Sequence, residues 1–526
     1  MTRATHAGRP HGGSRLIPTE VELKLAAPAP ELQKLKCVLL AMPNVRSEVE
    51  LELTSTYYDT PDLALRRKEL TLRVRKQGRS FVQTVKAGDF AGSDLLARRE
   101  WEDPIASKRP DIDAPKTGKR LPDSIGDQEL RPVFTTSVTR TVIEIEPHPS
   151  TRIEAAIDEG EIRTANGRSV EPISEIELEL KSGDPAVLFD AALRLLEAAP
   201  VRIEMRSKAE QGYQLLGAVG PPWPVHAGPV TLDPAMAVEA ALQRFGRQCL
   251  THLLHNEPVM LAGEPEGIHQ MRVAVRRLRS VLSALKPMLP LEHQRWASEE
   301  LEWFTHALGP ARNWDEFATS LLGPVSDALS ASRELEYLVT AVEHRRHAAF
   351  DDAKQAILSE RYTKSTLRLL RWFEARQWRE QSLSEHAALL LAPIANIAPD
   401  LIERCYRRVR KHSKRFAEQT PTQRHRLRIA LKKLRYIIEF LGCLFDEIQV
   451  LTFVNRLKSL QDCLGHANDV RVAYDLLDQL LGKAVHDVHA DRAGGIVLGW
   501  HERGIADHES KLRQHVRRFK HLNPFW

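Results

Sequence analysis

The sequence predicts an α+β chain of two domains, an antiparallel β-sheet domain followed by an all-helical domain. From Pro18 to about Leu216, polar and apolar residues mostly alternate, as they do in a strand with one buried face. From Pro234 to the C-terminus the apolar period is instead close to 3.6, which is typical of amphipathic helices. The length of 526 residues also exceeds that of an ordinary single core, so two domains are expected.

Prolines and glycines mark the expected domain boundaries. They interrupt regular structure within 217–230, which we interpret as a linker between a sheet domain at 18–216 and a helical domain at 231–526. Residues 1–17 are rich in Gly, Arg, Pro and His and are expected to form a disordered tail. The strand-like runs of the sheet domain are Glu20–Lys24, Val49–Tyr58, Leu70–Lys76, Ser80–Lys86, Arg98–Glu102, Arg140–Glu146, Arg152–Asp158, Glu161–Thr164 and Ile173–Lys181. Helical patches are expected at Ala29–Leu40 and Pro185–Ala198.

Charge is unevenly distributed along the chain. The net charge of +5 combines −2 over residues 1–220 with +7 over 221–526, and the second part also holds 18 of the 21 histidines. The second part is therefore the better candidate for binding a polyanion by its surface. The five cysteines are scattered without metal-ligand spacing, and no apolar run is long enough to span a bilayer or to form a signal peptide after Met1. A cytoplasmic protein without a membrane partner is expected.

Three strands of the first domain carry charges along one face. Because successive side chains of a strand point to opposite faces, Glu20, Glu22 and Lys24 share a face. The same alternation recurs in Arg73-Val-Arg75 and in Glu175-Ile-Glu177-Leu-Glu179. Charges turned towards a core are costly unless they meet partners. The pattern therefore predicts a sheet folded around a charged interior that holds a divalent metal and a polyanion together.

The residue types on this face suit metal-assisted chemistry on a phosphate chain. Carboxylate oxygens are hard ligands for Mg²⁺ or Mn²⁺, and the predicted metal ligands are Glu20, Glu22, Glu175, Glu177 and Glu179. The predicted phosphate-binding residues are Lys24, Arg73, Arg75, Lys86, Arg140 and Lys208. Asp158, which we expect in an Ile-Asp-Glu-Gly turn, is a further candidate for contact with the metal or with water. The residues that we assign as catalytic are Glu20, Glu22, Lys24 and Asp158. The alternative is that all these charges are solvated faces of an ordinary antiparallel sheet.

Several motifs of the first domain occur in the order of a known family. They are Tyr57-Tyr58-Asp59-Thr60-Pro61, Leu72-Arg73-Val74-Arg75, Thr84-Val85-Lys86, Arg99-Glu100-Trp101, Ile157-Asp158-Glu159-Gly160 and Glu175-Ile-Glu-Leu-Glu179. Together with Glu20-x-Glu22-x-Lys24, they resemble the CYTH family of triphosphate tunnel metalloenzymes over about residues 18–216. The resemblance implies an eight-stranded antiparallel closed barrel, a lumen that binds a triphosphate, and hydrolysis that depends on a divalent metal.

The resemblance also assigns acidic and basic positions. Arg73, Arg75, Lys86, Arg140 and Lys208 match the family's phosphate-binding positions, and Glu100 fits a further carboxylate of the lumen. Asp158 and two of the three glutamates at 175, 177 and 179 match its late acidic positions. The three glutamates share a face, so the choice between them stays open.

An internal repeat is the most informative property of the second half. His269-Gln-Met-Arg272-Val-Ala-Val-Arg276-Arg277-Leu-Arg279 aligns with His425-Arg-Leu-Arg428-Ile-Ala-Leu-Lys432-Lys433-Leu-Arg435. At the same offset in residue number, Leu308-Gly309-Pro-Ala311 aligns with Leu464-Gly465-His-Ala467 without a gap. Two matches in one register indicate a duplicated helical unit.

Each copy of the repeat places its basic residues along one stripe of a helix. At about 100° per residue the stripe spans about 80°, and apolar residues lie behind it. The predicted polyphosphate-binding residues are His269, Arg272, Arg276 and Arg279, then His425, Arg428, Lys432 and Arg435. The alternative is an ordinary solvated basic face. Metal chelation by the two histidines is disfavoured, because both lie among cations.

This pattern resembles the CHAD domain, a conserved-histidine α-helical domain often found behind CYTH, over about residues 231–526. The resemblance implies two four-helix bundles related by pseudo-twofold symmetry, with a basic surface that binds polyphosphate. One departure is visible, because Asn313 stands in the first copy where Asp469 keeps the family's usual aspartate in the second.

These patterns favour a cytoplasmic inorganic triphosphatase that cleaves tripolyphosphate to pyrophosphate and phosphate with Mg²⁺ or Mn²⁺. The helical domain is expected to bind polyphosphate and to associate the protein with polyphosphate granules. The alternatives are a polyphosphate-binding adaptor without useful turnover, and another triphosphate enzyme such as a thiamine triphosphatase or an adenylate cyclase. Nucleic-acid binding ranks last, because the basic helices carry no recognition motif and no aromatic stacking platform. The sequence leaves the oligomeric state open.

Overall fold

The structure is a computed structural model. It describes residues 19–88, 97–122, 125, 129–217, 222–330, 332–380, 382, 384–481 and 488–526. The predicted tail at 1–17 and the side chain of Glu20 lie outside the described part of the chain, as do the residues of the expected linker at 218–221.

The first half of the chain forms an antiparallel sheet. Its strands are β1 (Thr19–Ala26), β2 (Val45–Asp59), β3 (Leu70–Gln77), β4 (Ser80–Ala87), β5 (Ala97–Ile105), β6 (Arg131–His148), β7 (Thr151–Thr164), β8 (Val170–Ser182) and β9 (Arg202–Ile203). They follow the order β5-β4-β3-β2-β6-β7-β8-β1-β9, and β1 also pairs with β5. The pairing of β1 with β5 covers three residue pairs. This confirms the predicted antiparallel sheet domain, with nine described strands where eight were expected.

The runs expected at Arg152–Asp158 and Glu161–Thr164 are one strand, β7, so the prediction that Asp158 lies in a turn is wrong. Gly160 explains why the strand continues. A Cβ atom at this position would lie 2.0 Å from the carbonyl oxygen of Ser137 on β6, so only glycine permits this approach of the two strands.

The chain forms two compact units. The first is built from Leu40–Gly183, from β1 up to Lys24, and from the segment that begins at Arg206. The second contains the C-terminal half of the chain together with Leu25–Leu39 and Asp184–Met205. The two helical patches of the sheet region therefore belong to the second unit. There Arg371 forms an ion pair with Asp190.

The chain forms α-helices in both halves, and those from Val238 onward confirm the predicted all-helical second domain. The helices are α1 (Leu32–Leu40), α2 (Ala64–Arg67), α3 (Ala186–Ala198), α4 (Lys208–Leu215), α5 (Val238–His255), α6 (Glu257–Leu261), α7 (Pro265–Leu285), α8 (Leu291–Ala307), α9 (Gly309–Glu316), α10 (Gly323–Ala328), α11 (Arg333–Leu358), α12 (Glu360–Glu374), α13 (Glu385–Ala388), α14 (Ile394–His412), α15 (Pro421–Leu441), α16 (Glu447–Leu481) and α17 (Val488–Lys520). None of the described helices is both long and apolar enough to cross a bilayer.

The two basic stripes lie on the equivalent helices α7 and α15, which contact each other. Both helices begin with proline, whose missing N–H costs nothing in a first turn. Thr420 caps α15 through a capping box with Gln423. The apolar side of each helix is buried, as Met271 and Leu278 of α7 show with exposures of 0% and 1%. Each basic stripe thus lies on the side of its helix that faces away from the buried apolar side.

Candidate active site and anion-binding cavity

A cluster of three carboxylates lies on one face of the sheet, which we call the charged face. Asp158 on β7 is paired in register with Glu175 on β8, and Ala156 is paired with Glu177. One oxygen from each of the three carboxylates lies within 4.8 Å of the others. Asp158 and Glu175 are buried, and Glu177 is half-buried. Strand alternation places both glutamates on the same face of β8.

Three cations contact this cluster. Lys208 Nζ lies 2.7 Å from Asp158 Oδ2 and 2.8 Å from Glu177 Oε1, and it also bonds to Glu175. Arg140 donates hydrogen bonds of 2.7 and 2.6 Å to the two oxygens of Asp158 and one of 2.5 Å to Glu177. Lys24 Nζ lies 3.2 Å from Glu175 Oε1.

The cations keep the carboxylates ionised in spite of their burial. Burial alone would raise the pKa of Glu177, but the charges of Lys208, Arg140 and Lys24 hold it well below the usual range. The pKa of Asp158 is lowered for the same reason: burial would raise it, and the charges of Lys208 and Arg140 outweigh burial. These carboxylates are therefore suited to binding cations and poorly suited to accepting a proton.

Lys208 reaches the cluster because helix α4 begins at this residue. Ser207 caps the helix through a capping box with Glu210. The helix packs so closely that a Cβ atom on Gly212 would lie 2.3 Å from the ring of Phe134. The hydroxyl group of Tyr213 donates a 2.8 Å hydrogen bond to buried Asp59 of the Tyr-Tyr-Asp-Thr-Pro motif. That motif therefore positions α4.

A second group of charges lies on strands β3, β4 and β5. Arg73 Nη2 donates a 3.0 Å hydrogen bond to Glu100 Oε1, and Lys86 Nζ lies 2.7 Å from Glu100 Oε2. Burial would lower the pKa of Arg73, but the neighbouring Tyr57, Glu100 and Glu102 raise it. One buried carboxylate, Glu100, therefore holds two cations in place, and its assignment to a lumen stays a prediction.

Arg75 differs from the other cations of the charged face. Its Nε donates a 3.2 Å hydrogen bond to Ser55 Oγ, and among the described residues no carboxylate lies within 4 Å of its guanidinium group. The charge of Arg73, burial and the charge of Arg140 together lower the pKa of Arg75 to about 10. Among the described residues Arg75 thus forms no ion pair, and its hydrogen-bond partner Ser55 was not predicted from sequence.

Glu179 stands apart from the cluster. Glu179 pairs with Lys181 at 2.7 Å, and Lys181 also contacts Glu154, so of the three glutamates only Glu175 and Glu177 join Asp158. Glu22 is half-buried on the same strand face as Lys24. The side chain of Glu20 is not among those described.

The cluster fits a hard divalent cation. Carboxylate oxygens from Asp158, Glu175 and Glu177 are the donors that Mg²⁺ and Mn²⁺ prefer, and their spacing lets the three share one ion. Such an ion would meet the Lys208 ammonium in the same place.

In the helical unit the two basic stripes line a single cavity of about 1070 Å³. The predicted residues that line it are His269, Arg272, Arg276, Arg279, His425, Arg428 and Lys432. Arg435 does not line it, because its Nε bonds to Glu439 one turn later at 3.1 Å. Arg312, Asn468 and Lys433 also line the cavity and were not predicted.

The cavity crowds like charges together. Burial and the charges of Arg276 and Arg428 lower the pKa of Lys432 to about 7. Burial and the charge of Arg276 lower the pKa of Arg272 to about 10. Burial and the charge of Arg312 lower the pKa of His269 to about 4, so His269 offers hydrogen bonds at neutral pH and no charge. An anion would relieve this repulsion.

The two copies of the repeat differ in one ion pair. In the second copy Arg428 lies 3.7 Å from Asp469. In the first copy Asn313 replaces the aspartate, and Arg272 Nη1 donates a 3.5 Å hydrogen bond to the carbonyl oxygen of Thr305. The substitution noticed in the sequence thus leaves Arg272 without a carboxylate partner among the described residues.

Comparisons with known families match both halves of the chain. The model of the CYTH domain matches residues 18–213, and that of the CHAD domain matches residues 244–478. A crystal structure of the CHAD domain from the plant Ricinus communis is similar to this chain at 29% identity and a TM-score of 0.50, covering 57% of this chain and 98% of that one.

Two curated relatives are similar to this chain in sequence. An inorganic triphosphatase of Haemophilus influenzae is 35% identical over 199 residues, which are 38% of this chain and 55% of that protein. The chain thus spans about half the length of this relative. An uncharacterized protein of Mycobacterium tuberculosis is 26% identical over 467 residues, with 84% of each chain covered.

Proposed function

The chain contains a CYTH domain followed by a CHAD domain, and from this premise we propose that it is a metal-dependent inorganic triphosphatase with a polyphosphate-binding helical domain. At the level of the family, the CYTH domain and its triphosphatase relative support hydrolysis of a triphosphate. The finer proposal is that tripolyphosphate is cleaved to pyrophosphate and phosphate with Mg²⁺ or Mn²⁺. The single observation that supports it best is the buried cluster of Asp158, Glu175 and Glu177 beside the cations of the charged face.

The cations of the charged face are suited to holding a phosphate chain. Arg75 has no carboxylate partner among the described residues, whereas Arg73 and Lys86 both contact Glu100 and Arg73 also lies 3.8 Å from Glu102. In this set three cations face two carboxylates. Guanidinium groups bind phosphate oxygens in bidentate fashion, which would fix the chain in one orientation. Positioning of this kind is the main contribution of a protein to phosphoryl transfer.

Hydrolysis requires a water molecule to attack the terminal phosphorus while the bond to the bridging oxygen breaks and pyrophosphate leaves. A bound divalent ion supplies charge neutralisation of the phosphate oxygens and activates water. Asp158, Glu175 and Glu177 would hold that ion as ionised ligands, because the pKa values of Asp158 and Glu177 are lowered. Arg140 would orient Asp158 through its two hydrogen bonds.

A matched pair of glutamate variants tests the assignment. Glu177→Gln removes one charge of the cluster, and we expect phosphate release from tripolyphosphate to fall by about 10²–10³-fold, the usual effect of losing one electrostatic contact in the transition state. Glu179→Gln changes the same residue type two positions later on the same strand face, outside the cluster, and should stay within about twofold of wild type. Equal losses in the two variants would contradict the assignment. If the protein hydrolyses thiamine triphosphate or ATP faster than tripolyphosphate, the substrate is another triphosphate.

For the helical domain we propose that the cavity between α7 and α15 binds polyphosphate. Its support is the convergence of two basic stripes on one space, with Arg272 and Lys432 both destabilised as cations by their neighbours. Binding of long-chain polyphosphate to the full chain should weaken by about tenfold or more in Arg272→Gln, since one charged contact is lost. Competition with DNA at matched phosphate concentration provides the control, and a preference for DNA would contradict the proposal.

An adaptor without turnover is the second candidate for the whole chain. It is supported by the occupation of the carboxylate cluster by cations of the protein itself. The measurement of metal-dependent phosphate release separates the two candidates, because an adaptor would bind tripolyphosphate without cleaving it.

A further inference from the structure

An ammonium group of the protein lies inside the candidate metal site. Lys208 Nζ contacts all three carboxylates of the cluster, at 2.7 Å from Asp158 and 2.8 Å from Glu177, with a third bond to Glu175. Its side chain is only 11% exposed, so bulk water does not compete strongly for these contacts. A divalent ion bound by the same three carboxylates would need the oxygens that Lys208 now uses.

The other two cations of the cluster complete a balance of charge. Arg140 contacts Asp158 and Glu177, and Lys24 contacts Glu175 at 3.2 Å and Glu177 at 3.8 Å. Within this set, three positive charges face three carboxylates. A divalent ion added to this set would therefore find the three carboxylates already neutralised by cations of the protein.

Lys208 is the cation whose departure would release all three carboxylates at once. Arg140 binds Asp158 through two hydrogen bonds, and Lys24 is also held by a 3.2 Å hydrogen bond to the carbonyl oxygen of Arg206. Among the described residues Lys208 Nζ contacts the carboxylates alone, and it is carried by a flexible four-carbon stem at the first position of α4. A second anion would give this ammonium group an alternative partner.

We propose that the triphosphate itself creates the divalent-cation site, by drawing Lys208 away from Asp158, Glu175 and Glu177. The inference rests on the proposed hydrolase function and adds the order of events to it. Arg75, which has no carboxylate partner among the described residues, is the first anchor of the phosphate chain. The released carboxylates and the phosphate oxygens then share the ion. By linkage, the polyanion and the ion raise each other's affinity by the same factor.

Manganese binding to the full chain tests this order. Free Mn²⁺ is measured by electron paramagnetic resonance, with and without imidotriphosphate, whose bridging nitrogens resist hydrolysis. The Mn²⁺ that imidotriphosphate binds in solution is measured separately and subtracted. We expect imidotriphosphate to raise the Mn²⁺ affinity of the wild-type protein at least tenfold.

Two lysine variants identify the residue responsible. Lys208→Gln should bind Mn²⁺ alone at least tenfold more tightly than wild type, because the carboxylates are already released. Lys181→Gln removes a lysine that pairs with Glu179 and Glu154 on the neighbouring part of the same sheet, and it should leave Mn²⁺ binding unchanged. Lys208→Arg retains the charge and should keep binding of Mn²⁺ alone weak.

The outcomes separate this inference from the proposed function. The inference is wrong if wild type binds Mn²⁺ equally well with and without imidotriphosphate. It is also wrong if a folded Lys208→Gln protein, checked by thermal unfolding, binds Mn²⁺ alone no more tightly than wild type. If Lys208→Gln does not fold, the wild-type comparison decides alone. Hydrolysis of tripolyphosphate is assayed in parallel. If the protein hydrolyses tripolyphosphate but binds Mn²⁺ equally well without a polyanion, only the proposed order of events is wrong. If it does not hydrolyse tripolyphosphate with Mg²⁺ or Mn²⁺, the hydrolase proposal is wrong.

Discussion

Exchanging a single charge between the two copies of the helical repeat offers the sharpest test of the anion-binding cavity. Asn313→Asp gives Arg272 the carboxylate that Arg428 already has in Asp469, and Asp469→Asn makes the reverse change in the second copy. Both positions line the same cavity, so each variant changes the local charge by one unit without adding bulk. We expect Asn313→Asp to weaken polyphosphate binding and Asp469→Asn to strengthen it.

The size of the effect follows from the ion pair of the second copy. Two unit charges separated by the 3.7 Å of the Arg428–Asp469 pair interact by about 4 kcal/mol at an effective dielectric constant of about 20. The two side chains are 17% and 29% exposed, so solvent screening reduces this value to roughly 1–2 kcal/mol. This corresponds to a change of about 5–30-fold in the dissociation constant.

Titration of the full chain with fluorescent polyphosphate, at one fixed ionic strength, measures this change. The salt concentration must be constant, because contacts with phosphate depend strongly on it. An Asn313→Asp protein that binds as tightly as wild type, together with an Asp469→Asn protein that binds no better, would refute the reasoning. Opposite shifts of similar size in the two variants would support it.

Further predictions concern pH and packing. Polyphosphate affinity should fall as the pH rises through about 7, because Lys432 loses its charge there, and Lys432→Arg should flatten this dependence in binding titrations at pH 6–9. The free energy of unfolding, measured with urea, should fall below about pH 4.5, because the pKa of Glu177 is lower in the folded protein than in the unfolded one. The stabilisation from Glu177 is fully present above its unfolded pKa and is lost as the pH falls through its folded pKa. Glu177→Gln should therefore make stability depend less on pH in this acidic range. Gly212→Ala should destabilise the protein by about 1–3 kcal/mol, because the added methyl group would clash with the ring of Phe134. Gly228→Ala should leave the stability unchanged, because the space around its Cβ position is open. Thermal unfolding of the two variants measures this difference.

Alternation of charge along the strands predicted which side chains share a face, but it could not predict their partners. Glu175, Glu177 and Glu179 are equivalent by period, and only the pairing of β7 with β8 distinguishes them. That register places Asp158 opposite Glu175 and Glu154 opposite Glu179, where Lys181 joins the pair. Register depends on contacts between distant segments, which the local sequence does not contain.

The sequence also misplaced Asp158, because glycine two residues later normally indicates a turn or a weak point in a strand. In the structure Gly160 is needed for the close approach of β7 to β6. Local propensity was therefore overridden by packing between strands. The two-residue strand β9 is too short to carry any period, which is why it was not expected.

In the helical half, the spacing of the repeat predicted both basic stripes. The convergence of α7 and α15 on one cavity is a tertiary contact that the wheel of a single helix cannot show. The exclusion of Arg435 could have been found, because Glu439 follows it by four residues and such pairs interact along a helix. The contribution of Arg312 comes from α9, outside the stripes.

Quantifying both products of tripolyphosphate cleavage by this 526-residue chain is the most direct test of the proposed hydrolase. Incubation with Mg²⁺ or Mn²⁺ should release phosphate and pyrophosphate in equal amounts, and chelation of the metal with EDTA should abolish the release. Persistence of the tripolyphosphate with either metal, or the same rate of release in EDTA, would contradict a metal-dependent triphosphatase.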